Sequence, residues 1–255
     1  MFFIYQLLLT FLIIISPLII VIRIFKNKED KTRFIEKFGF FSKKRNQGKL
    51  IWFHGSSVGE IMSAIPIIYK YDNDKTIKQI LITSSTLSSS KIINNFKFKK
   101  VVHQFFPIDY LLFSNLFLNY WKPHLAIFLE SEIWPSMYNA IKIKKIPLIL
   151  LNARITKKTF KRWIVFKRYS EKIFNKIDTA FPQNNETKKY LKKLGVKNIN
   201  LIGNIKFIEN EKNNQDKIDK NLKNKFKKNK IFVAASTHHN EEIFAAKTHL
   251  ILKKK

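Results

Sequence analysis

The sequence predicts an α/β chain: a doubly wound parallel sheet behind an N-terminal transmembrane helix. Three observations carry that expectation. Six short apolar runs alternate with amphipathic stretches between residues 50 and 205, the rhythm of βαβ units joined by right-handed crossovers. The first run, Leu50-Ile51-Trp52-Phe53, turns through His54-Gly55-Ser56-Ser57-Val58-Gly59-Glu60 into a helical pattern. Such a turn leaves free N–H groups at the helix N-terminus, where open α/β sheets place their ligands. Ahead of both, residues 1–22 contain no charged side chain.

As a helix, residues 1–22 extend about 33 Å, enough to span a bilayer. A signal peptide would need a basic leader, a shorter apolar core and a small-residue cleavage site, and none is present. Pro17 is tolerated in a membrane helix. A buried core helix is the competing reading, and the length favours the anchor. Arg23, Lys26, Lys28, Lys31 and Arg33 follow at once, so the positive-inside rule places the remainder in the cytoplasm.

Strands are expected at 50–53, 79–83, 101–105, 125–129, 147–151 and 177–181, with helices near 57–71, 86–96, 109–120, 133–145, 157–175 and 184–194. Together they form a Rossmann-like domain over residues 30–208. The polar, Lys/Asn-rich stretch 209–230 is expected to be a linker or a solvated helix. Residues 231–235 read as a new strand, Ser236 and Thr237 as a cap, and 241–250 as a helix with Glu241 and Glu242 at its positive end. A single βα unit cannot bury its own apolar faces. Residues 231–255 are therefore expected to be the incomplete start of a second α/β domain.

Hydrophobic residues make up 45% of the 255, enough for a real core, and the absence of cysteine excludes disulfides and thiolate metal sites. The net charge is +30, carried by 42 lysines and only six arginines among 48 basic residues. That skew is either a codon bias or a preference for anionic partners such as lipid head groups or phosphorylated substrates. Nucleic acid is not expected, because no helix-turn-helix or interleaved aromatic platform accompanies the charge.

Glu60 opens the first helix, where a carboxylate either compensates the dipole or serves as a general base. The hydroxyl cluster from Thr83 through Ser85 and Thr86 follows the second strand and either binds an anion or sugar or caps a helix. Glu130 and Glu132 leave the fourth strand beside a Trp-Pro step, Glu130 nearer the crevice. Asn152 and Arg154 follow the fifth strand, and a rare arginine in a lysine-rich chain suits bidentate carboxylate binding. Asn204 and Lys206 stand just before the linker, where a lysine meets phosphate or carboxylate. The histidines have no metal-ligand spacing, and no phosphate-binding glycine motif occurs.

In order, the chain carries FHGSSVGE, TSSTLSSS, FPID, ESEIWPSM, IPLILLNARIT, FPQNNET, LGVKNINLIGNIKF and ASTHHNEE. Together these resemble the 3-deoxy-D-manno-octulosonic acid (Kdo) transferases of lipopolysaccharide assembly. The likeness runs the length of the chain. It departs mildly at Ser131 and Ile133, where the family more often has Thr and Leu. The resemblance implies a GT-B-like architecture of two Rossmann-like domains with the active site between them. It implies inverting, metal-independent transfer of Kdo from CMP-Kdo, the donor substrate and no cofactor, to the lipid A precursor at the inner membrane. It makes Glu60 the base and Glu130 and Lys206 the transition-state stabilisers. Substrate contacts are then expected from Ser57, Gly59, Thr83, Ser85, Thr86, Glu132, Asn152, Arg154, Asn204, Ser236 and Thr237. Family members run well past the equivalent of Lys255 and carry their CMP-binding motifs there, so this chain is expected to lack most of the nucleotide site.

Overall fold

The computed structural model describes residues 1–207, 226, 233–235 and 237–253. The chain divides into two compact units, Met1–Glu209 and Asn210–Lys255. The first unit holds six strands: β1 (Lys49–His54), β2 (Ile77–Ser84), β3 (Val101–Phe105), β4 (Leu125–Leu129), β5 (Leu148–Ala153) and β6 (Thr179–Pro182). All pair in parallel, in the order β3-β2-β1-β4-β5-β6. The expected doubly wound sheet is present.

Alternation along the central strand explains why helices cover both faces. Leu50 and Trp52 of β1 enter one core, Ile51 and Phe53 the other, and all four are buried. The second core receives Ile61, Ala64, Ile65 and Ile68 of α2 (Val58–Asn73) and Ile93 of α3 (Leu87–Asn94). The first receives α4 (Leu111–Trp121), α5 (Pro135–Ile143), α7 (Lys167–Phe174) and α8 (Asn185–Lys193). Trp52 anchors that core, its ring 4.8 Å from Phe117 and 5.0 Å from Phe128.

The single helix expected over 157–175 is two, α6 (Lys157–Val165) and α7, broken at Phe166 with φ −110° and ψ 53°. The cause is an aromatic contact. Trp163 packs edge-on against Phe174 with centroids 5.2 Å apart, whereas a straight helix would hold positions 11 residues apart about 16 Å from each other.

The N-terminal helix α1 (Phe2–Phe25) is long and apolar enough to cross a membrane. In the second unit, α9 (Glu241–Lys253) begins where expected. The His238 N–H donates to Glu241 Oε2 at 2.8 Å and Thr237 Oγ1 to Glu242 Oε1 at 3.1 Å. Val233–Ala235 is not in a strand, while residues 231, 232 and Ser236 lie outside the described residues, as does the expected linker except for Phe226.

Candidate active site

The strand order reverses direction between β1 and β4: the sheet grows through β2 and β3 on one side, and through β5 and β6 on the other. Ligands of open α/β sheets lie outside the carboxyl ends of strands at such a switch point. Glu60 follows β1 there, and Glu130 and Glu132 follow β4.

Ser57 is the N-cap of α2, accepting the Glu60 N–H on its hydroxyl. Glu60 reaches back, taking the Ser56 N–H on Oε2 at 2.7 Å and the Ser57 hydroxyl on Oε1 at 2.9 Å. This reciprocal box satisfies helix-start donors and fixes the carboxylate at the crevice. Gly55 makes the turn possible. A Cβ there would stand 3.0 Å from Leu129 Cδ1 and 3.1 Å from Glu60 Cβ, leaving no room for a side chain.

Glu132 is held differently. Its Oε2 accepts from Trp134 Nε1 at 2.9 Å, from His54 Nε2 at 3.2 Å and, in a short contact, from Ser56 Oγ. Ser56 therefore ties the two acids together, its N–H on Glu60 and its hydroxyl on Glu132. Burial holds the fully enclosed His54 below the ordinary imidazole pKa. At neutral pH its contact with Glu132 is a hydrogen bond rather than an ion pair. The neutral tautomer that fits donates from Nε2 to Glu132, with Nδ1 2.9 Å from Thr83 Oγ1.

Charge states follow from these partners. Burial raises the Glu60 pKa, and the charges of Glu132 and Glu130 add to it against the bonds from Ser57 and Ser56. Burial works on Glu132 in the same direction, yet the bonds from His54, Ser56 and Trp134 hold its pKa below the usual carboxylate value. Two acids on one edge thus hold their protons differently.

Glu130 and Asn152 close β4 and β5 with φ of 53° and 54°, left-handed conformations that cost a non-glycine residue on the order of 1 kcal/mol or more. Such strain gathers where geometry serves a site. Asn152, fully buried, accepts the Ile205 N–H on Oδ1 at 3.2 Å, and Asn204 accepts the Lys206 N–H at 3.1 Å. Ile205 inserts into the second core. Those three anchors aim Lys206, whose Nζ lies 2.6 Å from Glu130 Oε1. A Cβ at Gly59 would lie 4.0 Å from that ammonium, so Lys206 stands over the N-terminal end of α2. Cation and helix dipole there both favour an incoming anion.

Glu60, Ser57, Gly59, Glu130, Glu132, Asn152, Asn204 and Lys206 therefore meet at one edge. Ser85 stands at its rim, its hydroxyl 3.2 Å from that of Ser56. Thr83 does not face the crevice. It is fully buried under the floor, its hydroxyl engaged by Trp52 Nε1 at 2.8 Å and by His54, and it serves as a support. Thr86 is the exposed N-cap of α3. The Arg154 N–H reaches the Glu130 carbonyl at 3.3 Å, while its exposed guanidinium makes no hydrogen bond or ion pair among the described residues. Thr237 lies in the second unit. Strand and motif patterns alone do not single out His54, Ser56 and Trp134. A histidine closing a strand of otherwise apolar residues is the available signal, because a buried polar ring needs a partner. Among the described residues no group of three His, Cys, Asp or Glu could hold a metal ion.

Fold and site define an α/β domain with an acid pair and a poised cation at its switch point. The family model described as 3-Deoxy-D-manno-octulosonic-acid transferase (kdotransferase) matches residues 32–209, and the chain belongs to that family. It is 37% identical over 240 residues to the 3-deoxy-D-manno-octulosonic acid transferase of Rickettsia bellii, covering 92% of this chain and 56% of that protein. It is 34% identical over 248 residues to the probable mitochondrial 3-deoxy-D-manno-octulosonic acid transferase of Arabidopsis thaliana, covering 93% and 56%. To the transferase of Haemophilus influenzae it is 28% identical over 233 residues, covering 89% and 54%. The chain thus spans little more than half the length of these relatives. Among solved structures it is similar to the UDP-GlcNAc 2-epimerase of Neisseria meningitidis bound to UDP-GlcNAc, with TM-score 0.47, 15% identity, and coverage of 72% of this chain and 55% of that one.

Proposed function

We propose that this chain works in a glycosyltransferase that moves Kdo from CMP-Kdo to a hydroxyl of the lipid A precursor, lipid IVA, during lipopolysaccharide core assembly. Transfer inverts the anomeric carbon and uses no metal. Residues 30–208 form the acceptor-side domain, 209–230 the linker, and 231–255 the opening of the nucleotide-sugar domain of a GT-B-like enzyme. The chain is held at the inner membrane by α1, its catalytic part in the cytoplasm.

The observation that carries this reading is the environment of Glu60: a carboxylate of raised pKa, fixed by Ser56 and Ser57, at the switch point. A carboxylate with elevated pKa is a competent proton acceptor near neutral pH. The acceptor oxygen attacks the anomeric carbon and its proton passes to Glu60, while the bond to the CMP phosphate breaks and its electron pair leaves with CMP. Lys206, aimed by Asn152 and Asn204 and paired with Glu130, offsets charge on the departing phosphate. Glu132, locked by three donors, keeps Ser56 and hence Glu60 in place. The net charge of +30 suits a bisphosphorylated acceptor in an anionic membrane.

The test is transfer of labelled Kdo from CMP-Kdo to lipid IVA by membranes carrying the chain, with Glu60→Gln beside it. Product that disappears in the variant supports the reading. Product undiminished by Glu60→Gln removes the base assignment. Retention on lipid IVA vesicles without product reduces the reading to acceptor binding.

A further inference from the structure

We infer that α1 lies in the plane of one bilayer leaflet, docked along the domain, rather than crossing the bilayer. This placement goes beyond the proposed function and rests only on that reading's membrane location.

The two ends of the helix are fastened to the same domain. Near its start, the Tyr5 hydroxyl donates to Asp109 Oδ2 at 2.6 Å, Gln6 Nε2 to Ser136 Oγ at 2.7 Å, and the Leu111 N–H to Gln6 Oε1 at 3.1 Å. Near its finish, Arg23 Nε meets Glu29 Oε2 at 3.1 Å, and the same buried oxygen takes Lys37 Nζ at 2.6 Å. Lys37 belongs to the 3-10 turn Arg33–Phe38, which Glu36 ties to the edge of the sheet by accepting the Phe105 N–H at 2.7 Å. Between the two attachments Ser16 and Ile20 are buried. Residues 5 and 23 are about 27 Å apart along a helix, close to the full hydrocarbon thickness. A spanning helix would carry one attachment to the far side of the membrane and leave Asp109 and Ser136 without it.

The helix is two-sided in a way a spanning segment need not be. Tyr5, Gln6, Ser16 and Arg23 all engage the domain or the helix backbone and its continuation. The opposite face exposes Phe3, Leu7, Phe11, Ile14, Leu18 and Phe25, between 59% and 83% each. An apolar face this long on a helix whose polar face is occupied matches an interfacial segment. The occupant is a leaflet rich in anionic phospholipid, because cations flank both helix ends. Lys26 and Lys28, both exposed, lie at one end. At the other, Met1 and Phe2 share a cavity of about 350 Å³ with Arg168, Lys172 and Lys176. A lipid phosphate is the acceptor that suits the cations lining this cavity.

The docking also places chemistry at the membrane. Ser136, which receives Gln6, is two residues from Trp134, whose indole holds Glu132. The crevice then opens beside the leaflet that holds a lipid acceptor.

The chain has no cysteine, so introduced thiols report cleanly. Phe2→Cys and Lys26→Cys are probed with a membrane-impermeant maleimide on intact and then opened spheroplasts, and Gln6→Cys with Ser136→Cys is treated with a short bis-maleimide in isolated membranes, since the reach of the Gln6 side chain separates the two backbones beyond a direct disulfide. Expected are no labelling of either single variant in intact spheroplasts, labelling of Lys26→Cys after opening, and an internal cross-link in the double variant. Labelling of Phe2→Cys in intact spheroplasts overturns the inference, as does a double variant that stays uncross-linked while Lys26→Cys labels normally after opening. Carbonate washing separates the two readings: release of the chain overturns the membrane location itself, whereas retention with Phe2→Cys labelled from outside overturns only the in-plane placement.

Discussion

The β1–α2 and β4–α5 turns each deliver a carboxylate to the same edge of the same sheet, and they tune it in opposite directions. Glu60 receives one backbone N–H and one hydroxyl, too little to offset burial and two neighbouring acids, so it favours its proton. Glu132 receives an indole N–H, an imidazole N–H and a hydroxyl on a single oxygen, enough to keep it ionised despite burial. Burial alone does not set the role of an acid; the count of donors aimed at it does. The ionised acid in turn raises the other, so the fixed charge of Glu132 after β4 helps to lift the pKa of Glu60 after β1.

The largest expected effect comes from breaking the β1 side. Glu60→Gln keeps volume and the capping geometry, and removes proton acceptance. Kdo transfer should fall about 10²–10⁴-fold, the usual worth of a general base, with an unchanged circular dichroism spectrum. Lys206→Ala follows, at about 10²-fold or more in kcat, the scale of removing one preorganised charge-stabilising group. Lys206→Arg should recover only part of that loss, because Asn152, Asn204 and Ile205 aim a point charge rather than a planar fork.

A third carboxylate extends the contrast. Asp109 caps the start of α5, accepting the Ser136 N–H at 3.0 Å, the Met137 N–H at 2.7 Å and the Tyr5 hydroxyl. Even so, burial pushes its pKa up to about 6. A raised folded pKa favours the neutral acid, so its contribution to stability is complete below the unfolded pKa of 3.8 and lost as pH rises through about 6. Between those limits the wild type should lose about 3 kcal/mol relative to Asp109→Asn, since each pH unit between the two pKa values costs roughly 1.4 kcal/mol. Urea unfolding in detergent at pH 4.5, 5.5 and 7 measures the slope. Parallel profiles for the two proteins would contradict it.

How much of this was legible in the sequence divides along the same physical line. The six strands and the helix starts came through because period and local turn chemistry specify them: Ser57, Thr86 and Asn184 each cap the helix that follows. The break at Phe166 did not come through, since it answers a contact between Trp163 and Phe174 that no local pattern encodes. Glu60 and Glu130 stand out by their positions at strand ends, and Lys206 by its place just before the polar linker. Their sorting could not be read, because the donors that decide it arrive from β1, the β4–α5 turn and the segment after β6. Thr83 lay on the expected strand end, yet the pleat turned it beneath the floor. The apolar pattern of α1 marks a helix long enough to cross a membrane, while its contacts with the domain depend on Asp109 and Ser136, far away in the chain.

The smallest effect is the most specific to the comparison. Glu132→Gln removes a negative charge without removing volume, and that charge is the largest influence raising the Glu60 pKa after burial. Glu60 should then release its proton at lower pH. A base is active when deprotonated, so the acid limb of kcat/KM against pH should move to lower pH in Glu132→Gln, with a modest change on the plateau. A purely structural role for Glu132 would lower the plateau and leave the limb where it stands. Movement of the limb to higher pH would show that losing the anchor on Ser56 buries Glu60 further, and that geometry outweighs charge at this edge. The direction of one pH limb therefore decides whether the two turns are coupled through the field of Glu132 or only through the serine they share.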